Sequence, residues 1–145
     1  MEFRMNYEGK EKREGVRWYE NIASQFIFFS DVRMPGFPKR VDGKINNLSA
    51  LGIGAEAVFP SGISKEALFS GMIKMGVKFN LPNSEEVLKA ICRVIWMNKR
   101  GGEEERYAVG LEFIDISLSH REKIVEYVIN SYLGEVSNSK EEEKV

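Results

Sequence analysis

At 145 residues the chain has the length of one domain with short tails, and a hydrophobic share of 43% supplies a core that a disordered chain would lack. Lys and Arg total 21 against 22 Asp and Glu; the net charge of -1 argues against a bulk nucleic-acid coat, whose nonspecific affinity feeds on positive charge. The single Cys92 excludes an internal disulfide and suits a reducing compartment; with no apolar leader in residues 1–12 and no run near the ~20 residues that cross a bilayer, the expectation is a cytoplasmic protein without membrane insertion.

Residues 1–14 are dense in Glu, Lys and Arg and carry no apolar period, so residues 1–12 are expected to be a flexible N-terminal segment. Residues 22–29 turn aromatic and β-branched and predict a first strand. Pro35, Gly36 and Pro38 mark residues 31–40 as a loop before a second strand over residues 41–48. After a break at residues 49–52, Ile53, Ala55, Ala57 and Phe59 alternate as a third strand.

The fourth strand has the cleanest pattern. Ile73, Met75, Val77, Phe79 and Leu81 share one face, and Lys74, Gly76, Lys78 and Asn80 the other. Residues 87–97 read as a long fifth strand with Lys89 and Arg93 outward, and Tyr107, Val109, Leu111 and Phe113 as a sixth. Six strands with short connections and no helix between them predict a mainly β fold, a six-stranded antiparallel sheet closed into a barrel. One C-terminal helix follows. Ser119-His120-Arg121-Glu122 has capping-box spacing, Ile124, Val125, Val128, Ile129 and Tyr132 form an apolar stripe, and Gly134 fits a left-handed stop. This divides the chain into the N-terminal segment 1–12, a domain over 13–134 and a disordered charged tail over 135–145.

Two short motifs stand out. Arg13-Glu14-Gly15-Val16-Arg17 is an R-x-x-x-R, cheap by itself and readable as a solvated charge run. Asn47-Leu48-Ser49-Ala50-Leu51-Gly52 is an N-x-S-x-x-G, rarer, and readable as a tight turn in which Ser49 bonds locally and Gly52 supplies an unusual φ. Their order along the chain gives them weight. The Arg pair precedes the first strand, the Asn/Ser/Gly turn joins the second and third, and the chain ends in Gly110-Leu111-Glu112-Phe113 and a helix.

That order, together with Arg93-Val94-Ile95-Trp96 near the end of the fifth strand, resembles the PilZ domain family over about residues 13–133. The resemblance implies a six-stranded barrel that binds the bacterial messenger cyclic di-GMP and has no chemistry of its own. It assigns ligand binding to Arg13 and Arg17, to Asn47 and Ser49 as hydrogen-bonding groups for guanine, and to Gly52, where backbone comes close. Arg suits this ligand because its planar fork can grip phosphate or a guanine edge while its face stacks on the purine. Two weaker assignments are Trp96, divided between guanine stacking and core packing, and Lys12, whose place in the family bears on whether one or two ligand molecules bind.

The mechanism this implies is an order–disorder switch: little that is apolar anchors the Arg segment, ligand draws it across the barrel, and an unidentified effector protein reads the new surface. Motility, adhesion or biofilm formation, polysaccharide export and transcription are the outputs it leaves open. Two rivals belong to other classes, a PilZ-like scaffold or assembly protein that binds no nucleotide, and a single-stranded nucleic-acid barrel using Phe26, Phe28, Tyr107 and Trp96 as stacking platforms. An enzyme is not expected, since no catalytic set assembles and one His beside one Cys makes no metal cluster; no cofactor is expected and no nucleic-acid partner. Cys92 is expected in the core, His120 at a helix start, and residues 103–105 in a solvated acidic turn.

Overall fold

The computed structural model describes residues 16–102 and 104–144, with side chains through residue 134. Among the described residues six antiparallel strands close in the order β1-β2-β3-β6-β5-β4: β1 (Trp18–Ser30), β2 (Lys39–Leu48), β3 (Gly52–Val58), β4 (Ile73–Asn80), β5 (Val87–Lys99) and β6 (Arg106–Asp115). The expected mainly β barrel with its C-terminal helix is what the chain forms. Alternation along each strand drives closure. Phe26 and Phe28 of β1, Ile45 and Leu48 of β2, Met75 and Val77 of β4 and Leu111 of β6 point inward and are buried. Closing the sheet also leaves no free strand edge.

Phe28, Phe59 and Tyr107 stack in sequence inside one part of this core, with ring centroids 4.8 and 5.2 Å apart. These are three large rings at edge-to-face and tilted angles, the packing that aromatic quadrupoles favour. Phe26 and Tyr107 are buried as well, so three of the four platforms expected for a single-stranded nucleic-acid barrel are core, and that reading fails at them.

The connection between β3 and β4 is not the bare turn expected. A short helix, α1 (Lys65–Ser70), lies there, capped by the Ser64 hydroxyl accepting from Ala67 N–H at 3.2 Å and ended by Gly71 at a φ of 87°. Leu68, buried, ties it against the barrel beside β4 and β5. Six residues are too few to show a helical period, which is why only the cap and the stop betray it in the sequence.

The C-terminal helix, α2 (Leu118–Lys144), begins and ends elsewhere than expected. Its cap is Ser117, whose hydroxyl accepts from His120 N–H at 3.1 Å and whose carbonyl accepts from Arg121 N–H, so the Ser119–Glu122 spacing is not the capping box. Gly134 does not stop it. The glycine keeps a negative φ and the helix runs on to Lys144, through the segment expected to be a disordered tail. Glu and Lys, strong helix formers, fill much of residues 135–144 and offset one glycine, which costs only about 1 kcal/mol in a helix interior. Ile124 and Val128 are buried and fix the first half of α2 to the barrel.

Candidate functional site

The turn after β2 is closed by Ser49. Ser49 N–H donates to Gly52 O at 3.0 Å, and the Ser49 hydroxyl accepts from the N–H groups of Leu51 and Gly52 while reaching the Gly52 carbonyl at 3.2 Å. Ser49 is 0% exposed. Its hydroxyl therefore spends its bonding capacity closing the turn. Gly52 is required for a reason other than the expected φ, which is not positive: a Cβ there would sit 2.1 Å from the Leu111 carbonyl oxygen. The turn is thus pressed against β6, where β3 pairs Gly52 with Glu112.

Two residues before Ser49, the strand register sets Asn47 on the outer face. Tyr19, Asn47, Gly54, Gly110 and Trp96 are consecutive cross-strand partners on β1, β2, β3, β6 and β5. Directly opposed residues of antiparallel strands project to the same side, so this row runs across the outside of the barrel. Its two glycines are occupied from either end. A Cβ on Gly54 would lie 2.3 Å from the Asn47 amide nitrogen, and one on Gly110 would lie 2.0 Å from the Trp96 indole nitrogen. The amide lies over one glycine and the indole over the next, on neighbouring strands ~4.8 Å apart. Trp96 is 45% exposed, so it is not core packing, one of the two readings its sequence left open.

Arg17 joins this row from the chain's other motif. Its Nη1 donates to Asn47 Oδ1 across a sequence gap of 30 residues. The backbone beneath is fixed by α2: Tyr132 O–H donates to Arg17 O at 2.7 Å, and Trp18 meets the Tyr132 ring edge-on with centroids 5.3 Å apart. Val16 and Trp18 both pack on the core. β1 accordingly starts at Trp18, four residues earlier than expected, and the premise that little apolar anchors the Arg segment fails at residues 16–18. Helix α2 also holds the other motif, through Arg121 Nη1 donating to Ala50 O.

Guanidinium, amide and indole, three planar groups, thus form one continuous outer surface. The charges beside it are balanced or positive. Glu56 lies between Lys44 at 3.9 Å and Arg100 at 4.0 Å, and Glu112 is paired with Arg93 at 3.2 Å. Arg13 and Lys12 lie outside the described residues. His120, at the start of α2, accepts Lys89 N–H on Nδ1 at 3.2 Å, a structural bond. Cys92 is buried, and burial pushes its thiol up to about 12. In the acidic turn, Glu104 pairs with Arg106, and Glu105 takes Lys99 at 2.8 Å and the Tyr107 hydroxyl, which together hold its carboxyl below the ordinary range. Gly54 and Gly110, which make room for the amide and the indole, were not singled out as site residues from the sequence; the signal available was glycine at register positions inside two strands.

The family model described as PilZ domain matches residues 11–130. Among solved structures, the inhibitor of motility MotI/DgrA of Bacillus subtilis aligns with a TM-score of 0.56 at 20% identity, over 84% of this chain and 52% of that one. The Borreliella burgdorferi PlzA protein in complex with c-di-GMP aligns at 0.52 and 13% identity, over 91% of this chain and 57% of that one. The PilZ domain of YcgR from Escherichia coli with c-di-GMP aligns at 0.50 and 16% identity, over 88% of this chain and 97% of that domain. The chain therefore spans little more than half the length of the Bacillus and Borreliella proteins. These likenesses carry the fold. No curated protein matches the chain in sequence.

Proposed function

Since the chain belongs to the PilZ domain family, we propose that it is a receptor for cyclic di-GMP, bound on the outer face of β2, β3, β6 and β5. The observation that carries this reading is the bond from Arg17 to Asn47, which brings the second arginine of the R-x-x-x-R and the asparagine of the N-x-S-x-x-G to one surface in line with Trp96. The guanidinium supplies a charge-assisted fork for phosphate or a guanine edge, the Asn47 amide both donates and accepts, and the indole face offers a purine a stacking partner. Arg13 is proposed as the second cation on the ligand. Lys12 beside it, a point charge that stacks less well than Arg, bears on whether one molecule or a stacked pair is held. Ser49 and Gly52 act on ligand through the turn: they set where Asn47 stands.

The relay is proposed to run through α2. The same helix holds Arg17 through Tyr132 and the motif turn through Arg121, so a ligand that moves Arg17 or residues 49–52 shifts a balance that α2 shares. Residues upstream of Val16 would close over the ligand, and an effector protein would read that closed surface. A motility output fits the Bacillus neighbour, an inhibitor of motility, and is proposed at that level alone.

Calorimetric titration with cyclic di-GMP tests the receptor. Saturable binding is expected, with affinity reduced roughly ten- to hundred-fold in Arg17→Ala, the scale of one charge-assisted hydrogen bond of roughly 1.5–3 kcal/mol. A folded protein that takes up no heat would move the chain to the scaffold reading. Hydrogen exchange on the same samples tests the relay: protection is expected to rise in residues 8–15 and to change at residues 121–132. Binding without either change would leave the receptor standing and remove the relay.

A further inference from the structure

The opposite side of the barrel, where β1 meets β4, carries a groove of about 860 Å³ that the messenger site does not use. Its floor is a second cross-strand row, Arg40, Ile27, Gly76, Ile91 and Asp115, on β2, β1, β4, β5 and β6. The low point is Gly76, where the Ile27 Cγ2 comes within 2.8 Å of the place a Cβ would take. Ile27 and Ile91 flank it, half-buried, with Phe29 one pair further along β1. The volume is that of a small-molecule site, typically about 300–1,000 Å³.

The adjoining row carries Gln25, Lys78 and Lys89, and here Lys78 and Lys89 stand directly opposite one another. Like charges in that position destabilise a sheet. Neither ammonium has an ion-pair or hydrogen-bond partner among the described residues, whereas the cations outside the groove on the same strands do: Lys74 on Asp31 at 2.6 Å and Arg93 on Glu112 at 3.2 Å. Of the acids at the groove, Asp42 stands on β2 at the end of the lysine row remote from Lys78 and Lys89, and Asp115 stands on β6 diagonally across from Lys89; neither forms an ion pair with a lysine of the row. An apolar floor therefore ends against two adjacent ammonium groups that have no ion-pair partner among the described residues.

We propose that this groove binds an amphiphilic anion, a small molecule whose apolar body lies over Ile27, Gly76 and Ile91 and whose anionic head bridges Lys78 and Lys89. The head group relieves the Lys–Lys repulsion and the body covers apolar surface. This site is independent of the messenger site and stands or falls apart from it.

The test is displacement of 8-anilinonaphthalene-1-sulfonate by dodecyl phosphate below its micellar concentration, followed by fluorescence, with cyclic di-GMP calorimetry run in parallel. One bound fluorophore per chain is expected, displaced by dodecyl phosphate and much less by dodecanol. Lys78→Glu/Lys89→Glu should weaken dodecyl phosphate binding by about tenfold or more and leave cyclic di-GMP binding as in the wild type. Should the double reversal fail to fold by near-ultraviolet circular dichroism, Lys78→Gln/Lys89→Gln carries the same expectation. Equal binding by wild type and variant, or equal displacement by dodecanol, overturns the proposal. So does co-sedimentation with phosphatidylglycerol vesicles by a chain that ignores monomeric dodecyl phosphate, since that assigns the groove to a membrane surface.

Discussion

Two glycines that look alike in sequence do different work. At Gly52 the neighbour of any added Cβ is a backbone oxygen, which cannot move without opening the β3–β6 pairing; at Gly110 it is the edge of an exposed indole, which can swing away. Gly52→Ala is therefore expected to cost about 1–3 kcal/mol of stability in a denaturant titration, as overpacking does. Gly110→Ala should cost less than Gly52→Ala but shift the Trp96 emission and weaken cyclic di-GMP binding. If the two variants lose equal stability, the distinction between backbone and side-chain neighbours fails. Ser49 follows the same logic. Its hydroxyl is consumed by the turn, so Ser49→Ala acts on the position of Asn47 before it acts on ligand.

At the scale of elements, α2 is the piece that ties the site together. Tyr132→Phe removes one neutral hydrogen bond to the Arg17 carbonyl and leaves the ring packed on Trp18. Cyclic di-GMP affinity should fall by a few-fold, in keeping with about 0.5–1.5 kcal/mol for such a bond, although Tyr132 touches no ligand in the proposed site. Unchanged affinity would disconnect α2 from Arg17. The far half of α2 gives a separate check. Gly134 is exposed, helical and free of Cβ contacts, so Gly134→Ala should raise helicity and stabilise the protein by roughly 0.5–1 kcal/mol, measured by circular dichroism and thermal melting.

For the whole molecule, two buried or partly buried acids set the alkaline limit. Burial raises the Cys92 thiol from an ordinary 9.0 to about 12, and burial together with the bond to Glu20 raises the Tyr127 phenol from 10.0 to about 12. A pKa raised on folding means that the folded state holds the proton more tightly. The stability that this represents is full below the unfolded value and is lost as pH climbs toward the folded one. Stability should thus fall from about pH 9 to pH 12. Cys92→Ala should flatten the part of the curve that begins near pH 9, and Tyr127→Phe the part that begins near pH 10. A curve that is level through this range in the wild type would contradict both burials.

The sequence by itself determined the barrel, because alternation with a period of two is a local pattern and each strand carries it: Ile73 through Leu81 is legible with no knowledge of neighbours. It also determined which motifs to watch and that Cys92 belongs to the core. The limits of α1 and α2 were harder to read, since a capping Ser117 competes with Ser119 two residues away and a lone glycine can end a helix or be carried through it. What only the tertiary structure decided is register. Whether Asn47 and Trp96 share a face depends on how β2, β3, β6 and β5 align, and bulges between Ile45 and Asn47 and between Val94 and Trp96 set that alignment. One residue of slip would send the amide and the indole inward. The meeting of Arg17 with Asn47, and the bare pair of lysines across the barrel, are consequences of closure, in which residues far apart in sequence become neighbours for reasons that no local window contains.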